Sequence, residues 1–211
     1  MANGQGDNML LQVLDWTYDQ AVNGFSGLDS AEDLAADYLS GDGALFDKAN
    51  ALIGMQCAKA GASGFLAGLG GAALLPLSIP ANVTSVLFIQ IRMIAAIAIM
   101  AGFSVKDDRV KTLVFLCLVG DAGMDVLKQA GISIGKNMTI NVINAISAKT
   151  IDAINQLVGF TLLAKFGGQG VVNLDKAVPV VGGLIGGTLD AVSTHLVGSF
   201  ARNTFIGAKA S

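Results

Sequence analysis

Charge is scarce in this chain. Charged residues make up 14% of its 211 positions against 53% hydrophobic ones, where an ordinary soluble domain carries about a quarter charged residues. Mean hydropathy is +0.61. Either much of the surface does not face water, or the core is very large for the length. There is no basic excess either: the net charge is −3 and the pI near 4.9, which argues against nucleic acid as a partner. The single histidine, His195, leaves little room for zinc sites or histidine-based metal clusters, and neither metal nor cofactor is expected. Cys57 and Cys117 stand alone in apolar segments and read as buried free thiols of a reducing compartment. Met1 to Asn8 has no basic stretch ahead of its apolar residues, so no secretory signal is expected. The sequons at Asn82 and Asn137 then carry no weight. No segment alternates with period two, and no sheet is expected.

What the chain does have is helical spacing. Leu11, Leu14, Tyr18, Ala21, Val22 and Phe25 fall on one face, with Gln12, Asp15, Asp19 and Gln20 on the other. This predicts an amphipathic helix over roughly 9–23. Gly24 and Gly27 end it, and Ser30 caps a short helix with Glu32 and Asp33 in its first turn, where negative charge meets the helix dipole. Gly41-Asp42-Gly43 breaks the chain again. From Ala60 to Ile91 there is no charged residue at all, a run longer than the about 20 apolar residues that span a bilayer. Pro76 and Pro80 interrupt it. The expected form is a hairpin: one helix to about Leu75, a proline-bounded turn, and a second helix from Ala81 to Ala101. Gly102-Phe103-Ser104 closes it, and a third apolar helix runs from Asp107-Asp108 to near Gly131. A more polar helical stretch covers Lys136 to Gln156, Gly167 to Gly170 breaks it, and a last helix follows Pro179, from Val180 to Phe205.

Small residues recur every fourth position: Ala60, Gly64, Gly68 and Ala72; Gly182 and Gly186; Gly183, Gly187 and Ala191. Such faces let two helix backbones approach closely, in a bilayer or in a tight soluble bundle. Arg92 lies almost midway along an apolar helix, beside Gln90. A charge at the centre of a lipid-exposed span costs about 2.5–3.5 kcal/mol, so a simple span over 81–101 is disfavoured. Arg92 is expected to face a partner carboxylate, a polar cavity or a lipid headgroup; Asp121, Asp125 and Asp190 are the candidate carboxylates, with Lys128 one turn beyond Asp125. His195 continues the Gly183, Gly187, Ala191 row and is expected in the core. Together Arg92, Gln90, Asp121, Asp125, Lys128, Asp190 and His195 form a candidate polar network, read either as structural or as a site for a lipid or peptide carboxylate.

Gly131-Ile132-Ser133-Ile134-Gly135 matches the nucleophile pattern of α/β-hydrolases, and Asp152, Asp175, Asp190 and His195 follow it. That chemistry needs a strand before the serine and a helix after it. Here the preceding segment reads as helix.

Several blocks resemble the EcsC family. They are Ala60-Gly61-Ala62-Ser63-Gly64-Phe65, Gly68-Leu69-Gly70-Gly71, Ile79-Pro80-Ala81-Asn82, Ile89 to Ile94, Asp125 to Ile132, and Val178 to Gly183. The resemblance covers roughly residues 50–206, in block order, and leaves the first 45 residues unmatched. Gln90, Arg92, Asp125 and Lys128 lie in the matching blocks. The family takes its name from a bacterial protein encoded beside the ATPase and membrane subunits of an ABC transport system. The resemblance therefore implies a bacterial protein at the cytoplasmic side of the inner membrane, with ABC transporter subunits as partners, and it implies no reaction.

The expectation is one all-α domain over 1–211, a compact multi-helix bundle with a central apolar, glycine-rich hairpin. Two amphipathic helices (1–42) precede an EcsC-like core (43–206). The expected function is non-enzymatic, either peripheral membrane association or binding of a lipid-like apolar ligand. A self-inserting pore former and a serine hydrolase using Ser133 are the alternatives.

Overall fold

A computed structural model describes residues 3–24, 27–61, 81–120, 122–129, 140–166 and 187–207. The described residues form helices and connecting turns, with no strand. In chain order the helices are α1 (Asn3–Asn23), α2 (Ala31–Leu39), α3 (Leu45–Gly61), α4 (Ala81–Met100), α5 (Asp108–Cys117), α6 (Ala122–Gln129), α7 (Ile140–Asn144), α8 (Ala148–Phe166) and α9 (Gly187–Phe205). The protein is an all-α bundle.

Local chemistry sets these boundaries. The Ser30 hydroxyl accepts from the Asp33 amide at 3.0 Å, and the Asp33 carboxylate accepts from the Ser30 amide at 3.1 Å. This reciprocal pair starts α2, and the Ser30 hydrogen bonds hold the Asp33 carboxyl below its ordinary range. Asp107 caps α5 by accepting from the Arg109 amide at 2.9 Å. At the end of α4 the chain turns through Gly102 at φ +87°, a conformation that costs a residue with a Cβ.

The expected helix from Asp108 to Gly131 is instead two helices. The chain leaves α5 at Cys117 and re-enters helix at Ala122, passing through Gly120 at φ +60°. A left-handed residue cannot continue a right-handed helix, and apolar spacing does not register the break. Likewise α7 and α8 divide the polar middle stretch. The Ser147 hydroxyl accepts from the Thr150 amide at 3.2 Å and so caps α8.

The most apolar of these helices, α4, runs through the middle. Every residue from Leu87 to Ala98 is buried, because α1, α2, α3, α5 and α9 all pack against it. A helix that is apolar all round needs such an enclosure or a bilayer, and here other helices supply it. Among the described residues no helix is long and apolar enough to cross a membrane. The core is continuous from Leu14 and Tyr18 of α1 through Leu34 of α2 to Ile97, Leu113 and Phe205, so the N-terminal helices belong to the same core as the rest.

Close packing is visible where α9 meets α3 and α4. A Cβ on Gly198 would lie 2.9 Å from Ile53 Cγ1 and 3.0 Å from both Ile53 Cγ2 and Met93 Cε. Gly198 is not on the predicted Gly187, Ala191 row, whose next four-residue step is His195. The rest of the predicted small-residue faces, Gly64 to Ala72 and Gly182 to Gly186, lies outside the described residues, as does the proline-bounded turn. Gly198→Val is expected to lower stability by about 1 to 2 kcal/mol through overpacking, read as a shifted urea midpoint with unchanged slope.

Candidate functional site

Polar side chains are rare inside this bundle, and three of them share one level. Ile53 of α3, Met93 of α4 and Gly198 of α9 meet at one height. One helical turn away, toward the α9 N-terminus, lie Gln56, Gln90 and Thr194. The Gln90 amide nitrogen donates to Ser193 Oγ at 3.0 Å and to Thr194 Oγ1 at 3.2 Å. The Ser193 hydroxyl in turn donates to the Asp190 carbonyl at 3.4 Å. Gln56 is completely buried, yet neither its amide nitrogen nor its amide oxygen has a hydrogen-bond partner among the described residues. Such an amide costs free energy, because burial strips its water and nothing replaces it.

Arg92 projects from another side of α4. It is 2% exposed. Its Nη1 donates to the Asp29 carbonyl at 3.0 Å, and its guanidinium lies 5.6 Å from the Phe88 ring centroid, one turn back along α4. Its Nε has no partner among the described residues. Burial lowers the Arg92 pKa, and the Asp29 charge opposes that shift. Arg92 thus ties the loop before α2 to the central helix.

Several expected partners stand elsewhere. Asp125 and Lys128 pair with each other at 3.5 Å on an exposed face of α6, at 73% and 71% side-chain exposure. They are one turn apart on a short surface helix, a spacing that serves a solvated pair as well as a buried one. His195 is exposed on α9, not in the core. Its neighbours Thr194 and Gly198 turn inward instead, so the buried stripe of α9 runs one residue away from the expected row. Asp190 is half-buried, and burial raises its carboxyl pKa. It is linked to Gln90 only through its backbone carbonyl. Asp121 and Ser133 lie outside the described residues. Of the expected network, then, Gln90 and Arg92 are buried on α4, and Asp190 borders the Gln90 level.

Two members were missed. Asp29 sits in a loop, where no periodicity marks it. Gln56 did carry a signal: Ala49, Leu52, Ile53, Gln56 and Ala60 are the buried stripe of α3, so the glutamine stands at a core position of that pattern.

Other polar features are ordinary anchors. The Tyr18 hydroxyl donates to the Val105 carbonyl at 2.6 Å, which fixes α1 to the turn before α5; burial pushes its pKa up. A cleft of about 320 Å³ between α1, α5 and α8 is lined by Asp15, Asp108, Lys111, Asp152 and Asn155, among others. Lys111 sits in its wall, 3.0 Å from Asp15 and 5.0 Å from the Tyr18 ring centroid. Cys57 and Cys117 are free thiols, and burial raises the pKa of each. Among the described residues no cluster of His, Cys, Asp or Glu could hold a metal ion.

The helix directions place three helix ends that border charge-poor sequence at one end of the bundle. Arg202 of α9 bonds Asn50 and lies over the Phe46 ring, while Gly198 meets Ile53. Helices α3 and α9 are therefore antiparallel. Gln90 meets Thr194 and Met93 meets Gly198, so α4 and α9 run parallel. The C-terminus of α3 at Gly61 and the N-termini of α4 at Ala81 and α9 at Gly187 thus lie at one end of the bundle. The Gln56–Gln90–Thr194 level is the polar layer toward that end.

No curated protein and no solved structure matches the chain. The EcsC protein family matches over residues 9–206, which extends the likeness through α2 and most of α1, beyond the 50–206 expected. With nearly its whole length matched, the chain belongs to the EcsC protein family.

Proposed function

We propose that this protein acts without catalysis, as a peripheral partner of a lipid bilayer that takes up lipid or a lipid-like molecule at one end of its bundle. One observation carries the reading. The chain leaves that end after Gly61, returns at Ala81 and arrives there again at Gly187, and the sequence on these approaches is almost free of charge. There is no charged residue from Ala60 to Ile91, and none from Ala177 to Leu189. Two long uncharged stretches that start or finish at the same end of a bundle suit contact with an apolar phase better than contact with water. The buried Arg92 speaks against simple spanning, because it stands in the middle of α4 and bonds inside the protein.

The buried Gln56 amide, which has no hydrogen-bond partner among the described residues, supports the same reading. A buried polar group left unmatched is retained against stability, and such groups collect where a protein binds something. The family's name adds subunits of an ABC transport system, at the cytoplasmic face of a bacterial inner membrane, as the partners to seek by co-purification.

Flotation of the full chain with lipid vesicles tests the proposal. Co-flotation without release of an entrapped dye is the expected result. Dye release would convert the reading into pore formation.

A further inference from the structure

Five large hydrophobic side chains are exposed among the described residues, and three of them, Met55, Val192 and Leu196, are on α3 and α9. The antiparallel register set by the Asn50–Arg202 and Ile53–Gly198 contacts places Met55 level with Leu196. Val192 lies one turn further toward the end of the bundle that holds Gly61 and Gly187. Met55 is 50% exposed and Leu196 48%. Ala51, Gly54, Ala58 and His195 are exposed on the same two helices, and a Cβ on Gly54 would meet nothing within 4 Å. From Ala49 to Gly61 the one charged residue of α3 is Lys59, and Ala191 to Ala201 carries no Asp, Glu, Lys or Arg.

We propose that this outer face of the α3–α9 pair is the surface that enters the lipid headgroup region, with Met55, Val192 and Leu196 immersed; the inference rests on the membrane reading above and gives it a location. Two features favour lipid as the occupant. The face continues into the end from which 19 uncharged residues, 62–80, lead on from α3. Its only cation, Lys59, is half-buried near that end, where a long stem lets an ammonium reach headgroups while its methylenes stay apolar. Unbranched Met55 adapts its shape to disordered acyl chains. A pair of helices lying in the interface needs one continuous apolar face and no deep insertion.

The test uses the full chain and vesicles of phosphatidylcholine, whose neutral surface does not repel a carboxylate. The double variant M55D/L196D is expected to lower the vesicle-bound fraction about tenfold, with unchanged circular dichroism. Met124→Asp, on exposed α6, is expected to float as the unmodified chain does. Should the double variant lose its fold, Leu196→Trp provides a second measurement: its fluorescence is expected to be quenched by brominated phosphatidylcholine, and that of Met124→Trp not. If the unmodified chain floats and M55D/L196D floats equally, this face is overturned while the membrane reading stands. If the unmodified chain does not float, both fail. Loss of self-association in the double variant with flotation intact would assign the face to contact between copies and overturn the proposal.

Discussion

Replacing Arg92 with alanine is expected to lower stability by about 3 to 5 kcal/mol. The side chain is 2% exposed and fills space between α4 and the loop before α2. Alanine would leave a cavity, remove the donor to the Asp29 carbonyl, and take away the cation facing Asp29. Arg92→Met keeps most of the volume and brings no charge into the interior, so its expected loss is clearly smaller, because much of what arginine gains from Asp29 offsets its own desolvation. Urea unfolding of both variants separates the two contributions. A wild-type midpoint for Arg92→Ala would contradict the role of Arg92 as the tie between α2 and the central helix.

The second large effect runs in the opposite direction. Gln56→Met is expected to raise stability by about 1 to 3 kcal/mol, the desolvation cost of an amide that has no partner among the described residues. Methionine matches glutamine in length and buries no polar atom. Neighbouring Gln90 offers the contrast: its amide is bonded to Ser193 and Thr194, so Gln90→Met leaves two hydroxyls without their donor and is expected to destabilise. Gln56→Met and Gln90→Met therefore move the unfolding midpoint in opposite senses. A loss of stability in Gln56→Met would mean that the amide is satisfied in solution, and would remove it as a mark of the site.

These two glutamines also show what a sequence reveals and what it conceals. Helix α4 was legible almost to the residue: Pro80 before Ala81, a predominantly apolar run, and Gly102 shortly after Met100 mark both ends. The Ser30 cap was legible for the same reason, since capping is local chemistry within four residues. Gln90 and Arg92 were legible as polar residues set in an apolar helix, candidates for a polar network. Their partners did not follow. Asp29 is 63 residues from Arg92, and the register of one helix against another is decided by side-chain shapes across the seam. Asp125 looked like a partner because it is a carboxylate in an apolar segment, yet it forms an exposed pair with Lys128, one turn on. His195 missed the core by one position, an error that a row traced from glycines beyond Ala191 cannot detect, because a 3.6-residue turn drifts against a four-residue count. The same drift makes Gly198 and Thr194, rather than His195, the residues of α9 that face α3 and α4.

The membrane account rests on two uncharged stretches of sequence flanked by α3, α4 and α9, whose ends at Gly61, Ala81 and Gly187 lie at one end of a bundle with an enclosed central helix. Its most direct test is flotation of the unmodified full chain with phosphatidylcholine vesicles at low and at high salt. Attraction through an apolar surface predicts that the protein rises with the vesicles in both, since salt screens charge but leaves apolar contact in place. Protein that remains wholly at the bottom of the gradient in both would contradict the account.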